Sequence, residues 1–338
     1  MTRAMGLSRP ARFILLRAMY GIALAVLAFI GPAAAQTDLA HYPNRPILII
    51  VPYPPGGGSD LMARILAEKL QQRLGQPFVV ENRGGASGNI GLELAARSPP
   101  DGYTIVFNPN SIAITPALLG APFDPVKDFT PIVMLSEAPI VIGGHPSLPI
   151  KSIGDLVAHA KAAPGKLSYA SCGTGGLQHI AMEALKTRAQ LDITHVPYNG
   201  CGQPLPDLLS GRVPLFASVM NSVSAPLQEG KLRAYAVSNT KRSSLLPDVP
   251  TVAETGWSGF AVDNWIGMFG PARLPDDVVR RLNAEVADLL GTPQIREKMA
   301  AQFLVPVGGS AEDLASAVKT DVARYTKILA EAGIERFK

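Results

Sequence analysis

Short, uniformly apolar runs alternate with longer amphipathic stretches along this chain. Ile47-Leu48-Ile49-Ile50-Val51 has no polar alternation, the pattern of a strand buried on both faces. Leu61, Ile65, Leu66 and Leu70 then recur at helical spacing and predict an amphipathic helix over 61–74. Residues 77–82 and 103–107 read as further strands, with a helix between them ending near Ala96. A proline-rich stretch leads to Pro139-Ile140-Val141-Ile142-Gly143, where the chain is expected to cross into a second domain. There the strand-loop-helix rhythm returns at 166–170, 193–198 and 232–238, with a helix carrying His179 and another over 204–209. Trp265 to Gly270 would bring the chain back. Ser310 and Asp313 form a capping-box start for a helix that presents Leu314, Val318, Val322, Tyr325 and Leu329 on one face. This alternation predicts an α/β fold with parallel sheets.

The first 35 residues break the pattern. Arg3, Arg9, Arg12 and Arg17 precede a short apolar core over 18–30, and Ala33-Ala34-Ala35 offers a small-residue cleavage site. A Sec-type signal peptide is expected, cleaved before Gln36, which predicts a periplasmic protein. The leader also changes the charge reading. The chain has 31 basic and 27 acidic side chains, and the leader's arginines account for the excess. The high isoelectric point is therefore not a nucleic-acid footprint, and no nucleic-acid partner is expected.

Chemistry concentrates in loops at the C-terminal ends of expected strands, where open parallel sheets bind ligands. Tyr53-Pro54-Pro55-Gly56-Gly57-Gly58-Ser59-Asp60 joins a buried strand to a helix through nearly bare backbone. Unpaired N–H groups and the positive end of a helix dipole suit a small anion there. No lysine follows these glycines as a P-loop would require, and 85–91 lacks the Gly-x-Gly-x-x-Gly spacing of a dinucleotide site. The five histidines and two cysteines show no metal-ligand spacing, so neither metal nor cofactor is expected.

Five motifs stand in order: residues 53–60, Glu81-Asn82-Arg83-Gly84-Gly85-Ala86-Ser87-Gly88, Tyr169 to Gly176 with His179, His195-Val196-Pro197-Tyr198-Asn199-Gly200, and Leu246-Pro247-Asp248-Val249-Pro250-Thr251. Together they resemble the Bug family, the extracytoplasmic solute receptors of tripartite tricarboxylate transport systems. The resemblance implies a two-lobed periplasmic binding protein fold (a type II-like Venus flytrap), with parallel-rich sheets flanked by helices. It implies a first lobe over 36–138 and 266–338, a second over 139–265, and capture of a small organic carboxylate without catalysis. Transporter membrane subunits would be the partners, and the receptor is expected to be a monomer.

The expected ligand site takes Tyr53, Pro54, Gly57, Gly58, Ser59 and Asp60 from the first loop, and Ala86, Ser87, Gly88 and Ser111 from the loops beside it. From the second lobe it takes Ser171, Gly173, Thr174, Gly175, Tyr198, Asn199 and Ser218. Asp60 in a first helical turn also suits capping of backbone N–H groups, since a carboxylate would repel an acid ligand. Arg83 is read as a loop tie rather than a counter-ion. Pro214 and Ser218 stand where the family often carries acidic residues, and Gly176 where serine is common; the missing acids disfavour an amino-acid ligand. Cys172 and Cys201 lie in loops at neighbouring strand ends, and in an exported chain a disulfide between them is expected. Two reduced thiols are the alternative. A ligand-sensing subunit, or a hydrolase using Ser171 or Cys172, are the other functional readings, although no Gly-x-Ser-x-Gly elbow occurs.

Overall fold

A computed structural model describes residues 42–118, 120–198 and 200–333, apart from the side chain of Ser87. The expected signal peptide and Asn199 lie outside the described residues. The first part of the chain forms β1 (Ile47–Val51), α1 (Gly58–Leu74), β2 (Phe78–Asn82), α2 (Asn89–Ala96), β3 (Thr104–Pro109), α3 (Ser111–Leu118) and β4 (Phe129–Glu137). The second part comprises β5 (Ile140–Gly144), α4 (Ile153–Ala162), β6 (Leu167–Ser171), α5 (Leu177–Ala189), β7 (Ile193–Pro197), α6 (Leu205–Leu209), β8 (Leu215–Val219), α7 (Met220–Gln228) and β9 (Arg233–Val237). The chain then returns through β10 (Trp265–Pro271), α8 (Asp276–Gly291), α9 (Pro293–Ala300), β11 (Val305–Gly308) and α10 (Ala311–Glu331).

Two sheets result, in the orders β11-β4-β10-β3-β1-β2 and β7-β6-β8-β5-β9. Strand-helix-strand connections make β1, β2 and β3 mutually parallel, and likewise β6, β7 and β8. Both sheets are nonetheless mixed, because each inserts the strand that has just crossed from the other lobe. The arriving strand β5 runs antiparallel to β8 and β9, and β10 runs antiparallel to β3 and β4. Three strands escaped the hydrophobic pattern. Pro131 interrupts the apolar run of β4, Pro214 obscures the start of β8, and β11 is a short edge strand whose Pro306 is tolerated there.

The continuous apolar run of β1 is explained by its two buried faces. Ile47, Ile49 and Val51 pack with Met62, Leu66 and Leu70 of α1 and Leu282 of α8, while Ile50 faces Leu314 and Val318 of α10. Farther along α10, Tyr325, Ile328 and Leu329 join the core of the second sheet with Ile140, Ile142 and Ile180. One helix thus serves both lobes.

The two crossings run side by side, with the Ala138 N–H donating to the Asn264 carbonyl at 2.9 Å. The return crossing is gripped from α10: Tyr325 Oη donates to the Asp263 carbonyl at 3.2 Å, and Trp265 Nε1 donates to Asp321 at 2.9 Å. Asp321 is 3% exposed, and burial, only partly offset by Trp265 and Arg324, lifts its carboxyl to about 6. The folded state therefore holds a proton that the unfolded chain releases from about pH 4 upward. Stability conferred by that proton is lost as pH rises from about 4 to 6, on the order of 2–3 kcal/mol for a two-unit shift. Glu137, whose carboxyl is raised by burial and by Asp263, acts in the same sense. Asp321→Asn is expected to remove most of this slope, read as the variant-minus-wild-type difference in urea unfolding at pH 4.5, 5.5 and 7. An unchanged difference across those pH values would defeat the assignment.

Candidate functional site

Helix α1 begins at Gly58, three residues before its first apolar contact position, so the glycine run leads directly into its first turn. The turn reverses at Gly56 with φ 91°, a conformation costly for other residues. Gly57 is the N-cap and contributes no side-chain cap, which leaves the first N–H groups of the helix without a side-chain partner and keeps its positive end bare. Asp60 commits its carboxylate to the protein itself. It is 3% exposed and accepts from the Gly56 N–H at 2.9 Å, from Asn82 Nδ2 at 3.0 Å and from Arg64 Nε at 3.1 Å. Burial alone would raise its carboxyl, but hydrogen bonds from Arg64, Gly56 and Asn82 hold it below the usual range. Asp60 is a loop clamp, in keeping with its capping role. Asn82 Nδ2 also donates to the Tyr53 carbonyl at 3.1 Å, so the end of β2 fixes both sides of the turn.

A cavity of about 280 Å³ opens over this turn. Its first-lobe side comprises Tyr53 and residues 56–61, and its base includes Ser136, Ala138 and Ile266. The second lobe closes it with Val219, Met220 and Asn221 at the β8–α7 junction, and Gln302, Phe303 and Leu304 reach in between α9 and β11. A Cβ on Gly58 would sit 3.3 Å from Ile266 Cδ1, so glycine there lets the turn lie against the strand. Ser136 pairs with Ile266 across the β4–β10 ladder and is fully buried, and its Oγ has no hydrogen-bond partner. Among the described residues lining the cavity, none is Lys, Arg or His. Arg83 lies outside it, exposed and paired with Glu81.

Of the other expected first-lobe site residues, Ser111, Ala86, Gly88 and Pro54 lie outside the cavity lining. Tyr53 Oη and Ser111 Oγ share a 2.6 Å hydrogen bond, and burial raises the Tyr53 phenol. Gly88 gives Tyr53 room: a Cβ there would stand 3.0 Å from the phenol oxygen. Ala86 and Gly88 form a 3-10 turn leading into α2, whose N-cap again lacks a side-chain cap. Pro54 is exposed and lies against Gly84.

The second-lobe loops after β6 and β7 are engaged with one another. Ser171 is 1% exposed and shares a 2.7 Å hydrogen bond with His195 Nε2, while His195 stacks on His179 at 4.1 Å. Burial, then His179, pushes His195 down to about 4, so the ring is neutral at ordinary pH. The Gly175 N–H donates to His179 Nδ1 at 3.1 Å, Gly173 lies beside the Tyr198 carbonyl, and Thr174 is exposed. Tyr198 donates to Asp207 at 2.6 Å; burial and that bond push its phenol up to about 12. Ser218 is buried in β8 with its Oγ unpartnered, one residue before the cavity-lining Val219. Cys172 and Cys201 form the expected disulfide. That bond removes the thiol nucleophile, so the Cys172 hydrolase reading is corrected. None of Ser171, Gly173, Thr174, Gly175 and Tyr198 lines the cavity, because the second lobe reaches it through the junction after β8.

Ser136, Asn264, residues 219–221 and residues 302–304 were not foreseen. The apolar run Leu215-Phe216-Ala217 after the Gly211 turn was the available signal for β8, and Ile132 to Leu135 was the signal for β4.

A model of the tripartite tricarboxylate transporter family receptor matches residues 62–334. The chain belongs to that family. Its relatives include the protein BugT of Bordetella pertussis, 35% identical over 94% of this chain and 97% of that protein. A protein from the tcbD-tcbE intergenic region of a Pseudomonas species is 36% identical over 93% of this chain and 94% of that one. Among solved structures, a Rhodopseudomonas palustris protein with adipate superposes at TM-score 0.73 and 35% identity, covering 88% of this chain and 100% of that one. MatC from the same organism, with bound malate, gives 0.68 and 29%, covering 85% and 100%. The periplasmic binding protein BugD gives 0.70 and 33%, covering 88% and 100%. The family's two-lobed α/β fold is the fold described above, and two of these structures carry carboxylates.

Proposed function

We propose that this chain is a periplasmic receptor that captures a small organic carboxylate between its lobes and delivers it to a tripartite membrane transporter. The observation that carries the reading is the uncapped start of α1 facing a cavity whose lining, among the described residues, includes no basic side chain. A carboxylate set on that turn receives several backbone N–H donors and the helix dipole, without a salt bridge. Tyr53, braced by Ser111 and Gly88, orients the ligand, and the buried Ser136 hydroxyl supplies a further donor. The carboxylate ligands of the similar R. palustris structures support this class of ligand.

Because residues of both lobes line the cavity, a ligand that touches both favours closure about the paired crossings near Ala138 and Asn264. Small-angle scattering is expected to show a smaller radius of gyration with saturating adipate, alongside calorimetric binding. Calorimetric silence toward adipate, succinate and malate would overturn the carboxylate reading; binding at an unchanged radius would overturn closure alone.

A further inference from the structure

Phe303 occupies a backbone position built for glycine. It follows α9, where the Leu304 N–H bonds to the Met299 carbonyl at 3.0 Å and the Phe303 N–H bonds to the Ala300 carbonyl at 2.9 Å. These two bonds define a Schellman helix end, whose left-handed residue is usually glycine because a side chain is strained there. Helix α1 follows that preference with Gly75 at φ 70°, yet Phe303 holds φ 57° with a bulky aromatic side chain. Strain of this kind persists only where the surrounding structure holds it, and it clusters at functional sites.

Gln190 holds the same conformation at the end of α5 without lining the cavity, so it is the ring's position that bears on function. Phe303 belongs to the first lobe by its place between α9 and β11, but its side chain packs against the second lobe's apolar cluster containing Val141, Phe216, Met220 and Val223. It also lines the ligand cavity together with Met220, Ile266 and Leu304. One end of the cavity is the bare helix start; much of the remaining wall is apolar. Asn221, Asn264 and Gln302 line other parts of the cavity, but a hydroxyl set against Phe303, Met220, Ile266 and Leu304 would give up its water without a side-chain partner there.

We propose that Phe303 is the specificity-determining residue of this receptor, pressing on the body of the bound acid and selecting alkyl or aryl carboxylates over hydroxylated ones. The proposal rests on the carboxylate-binding reading above. Phe303 reaches from between α9 and β11 to the second lobe's apolar cluster, so the discrimination is made where the two lobes meet over the ligand. Hydrophobic walls reject an added hydroxyl by up to about a hundredfold, which sets the scale of the effect.

Matched acids test it. Adipate and galactarate share a six-carbon diacid skeleton and differ in hydroxyls, and succinate and malate differ in one. Calorimetry on the wild type is expected to show adipate binding at least about tenfold tighter than galactarate, with a smaller preference for succinate over malate. Phe303→Gly suits the left-handed backbone and removes the ring; its adipate-to-galactarate ratio is expected to fall to within about threefold. Phe303→Ala removes the ring but keeps the strained backbone, and is expected to lose the same preference. Circular dichroism confirms that both variants are folded. Equal wild-type binding of both members of each pair overturns the proposal while leaving carboxylate binding intact. Discrimination that survives in Phe303→Gly overturns it too, since the selectivity then resides elsewhere. If no acid binds the wild type, the carboxylate reading fails and takes this assignment with it.

Discussion

Gly57→Val is expected to abolish adipate binding while the protein stays folded. Gly57 holds φ −78° and ψ 169°, a region valine adopts readily, so the backbone bears no penalty for the change. A Cβ placed there meets nothing within 4 Å, and the residue lines the cavity, so the new side chain stands in the space of the ligand. What is lost is the close approach of a carboxylate to the first N–H groups of α1. Charge-assisted hydrogen bonds of this kind contribute roughly 1.5–3 kcal/mol each, so losing two weakens binding about 100-fold or more. Arg83→Gln is expected to change affinity less than about threefold, because Arg83 is exposed, paired with Glu81 and outside the cavity. Calorimetry on both variants, with circular dichroism for folding, separates the cases. Normal binding by Gly57→Val together with loss in Arg83→Gln would replace the backbone clamp with a side-chain counter-ion. Gly91 makes a useful contrast: a Cβ there would stand 2.8 Å from both the Arg83 carbonyl oxygen and Pro52 Cβ, so that glycine serves packing rather than the ligand.

The contrast between these glycines also shows what a linear pattern reveals. The loop at 56–60 was legible because a buried strand, bare backbone and an amphipathic helix follow one another in sequence, and the dipole argument needs only that order. The C-terminal helix was legible for a similar reason: Ser310, Asp313 and the face from Leu314 to Leu329 are local signals, and the capping box forms. Strands β4 and β8 offered only short apolar runs with prolines inside or beside them, β11 is a short edge strand, and all three owe their stability to neighbours distant in sequence. The site was divided in the same way. The cavity wall at Gly57 and Gly58 could be read from the order of strand, glycines and helix, but the opposing wall could not. Val219, Met220 and Asn221 reach the cavity because β8 is the central strand of its sheet, and Phe303 because a helix end turns it across the cleft. Ser171 and Tyr198 had the right chemistry in the right kind of loop. Their polar atoms are instead satisfied by His195 and Asp207, a pairing that depends on the fold of the second lobe.

Replacing both cysteines, Cys172→Ser with Cys201→Ser, is expected to lower stability by about 3–4 kcal/mol while changing adipate affinity less than about tenfold. The bridge joins residues 29 apart in sequence and so closes a loop of moderate length in the unfolded chain. By the chain-entropy model, freeing such a loop contributes the quoted loss, acting mainly through the unfolded ensemble. The folded state has independent ties between the same segments. The Gly200 N–H donates to the Cys172 carbonyl at 3.0 Å, and the Tyr198 N–H donates to the Ser171 carbonyl at 3.3 Å. Neither cysteine lines the cavity, which explains why affinity should respond weakly. It should still respond, because β6 pairs in parallel with β8, the strand that runs into the Val219–Asn221 junction lining the cavity. Urea unfolding of wild type and double variant reads the stability, and calorimetry with adipate reads the affinity. Two free thiols in denatured, unreduced protein would remove the bridge outright. A stability equal to wild type would show that the backbone ties alone hold these loops, and an affinity loss beyond about a hundredfold would move the loops after β6 and β7 into direct contact with the ligand.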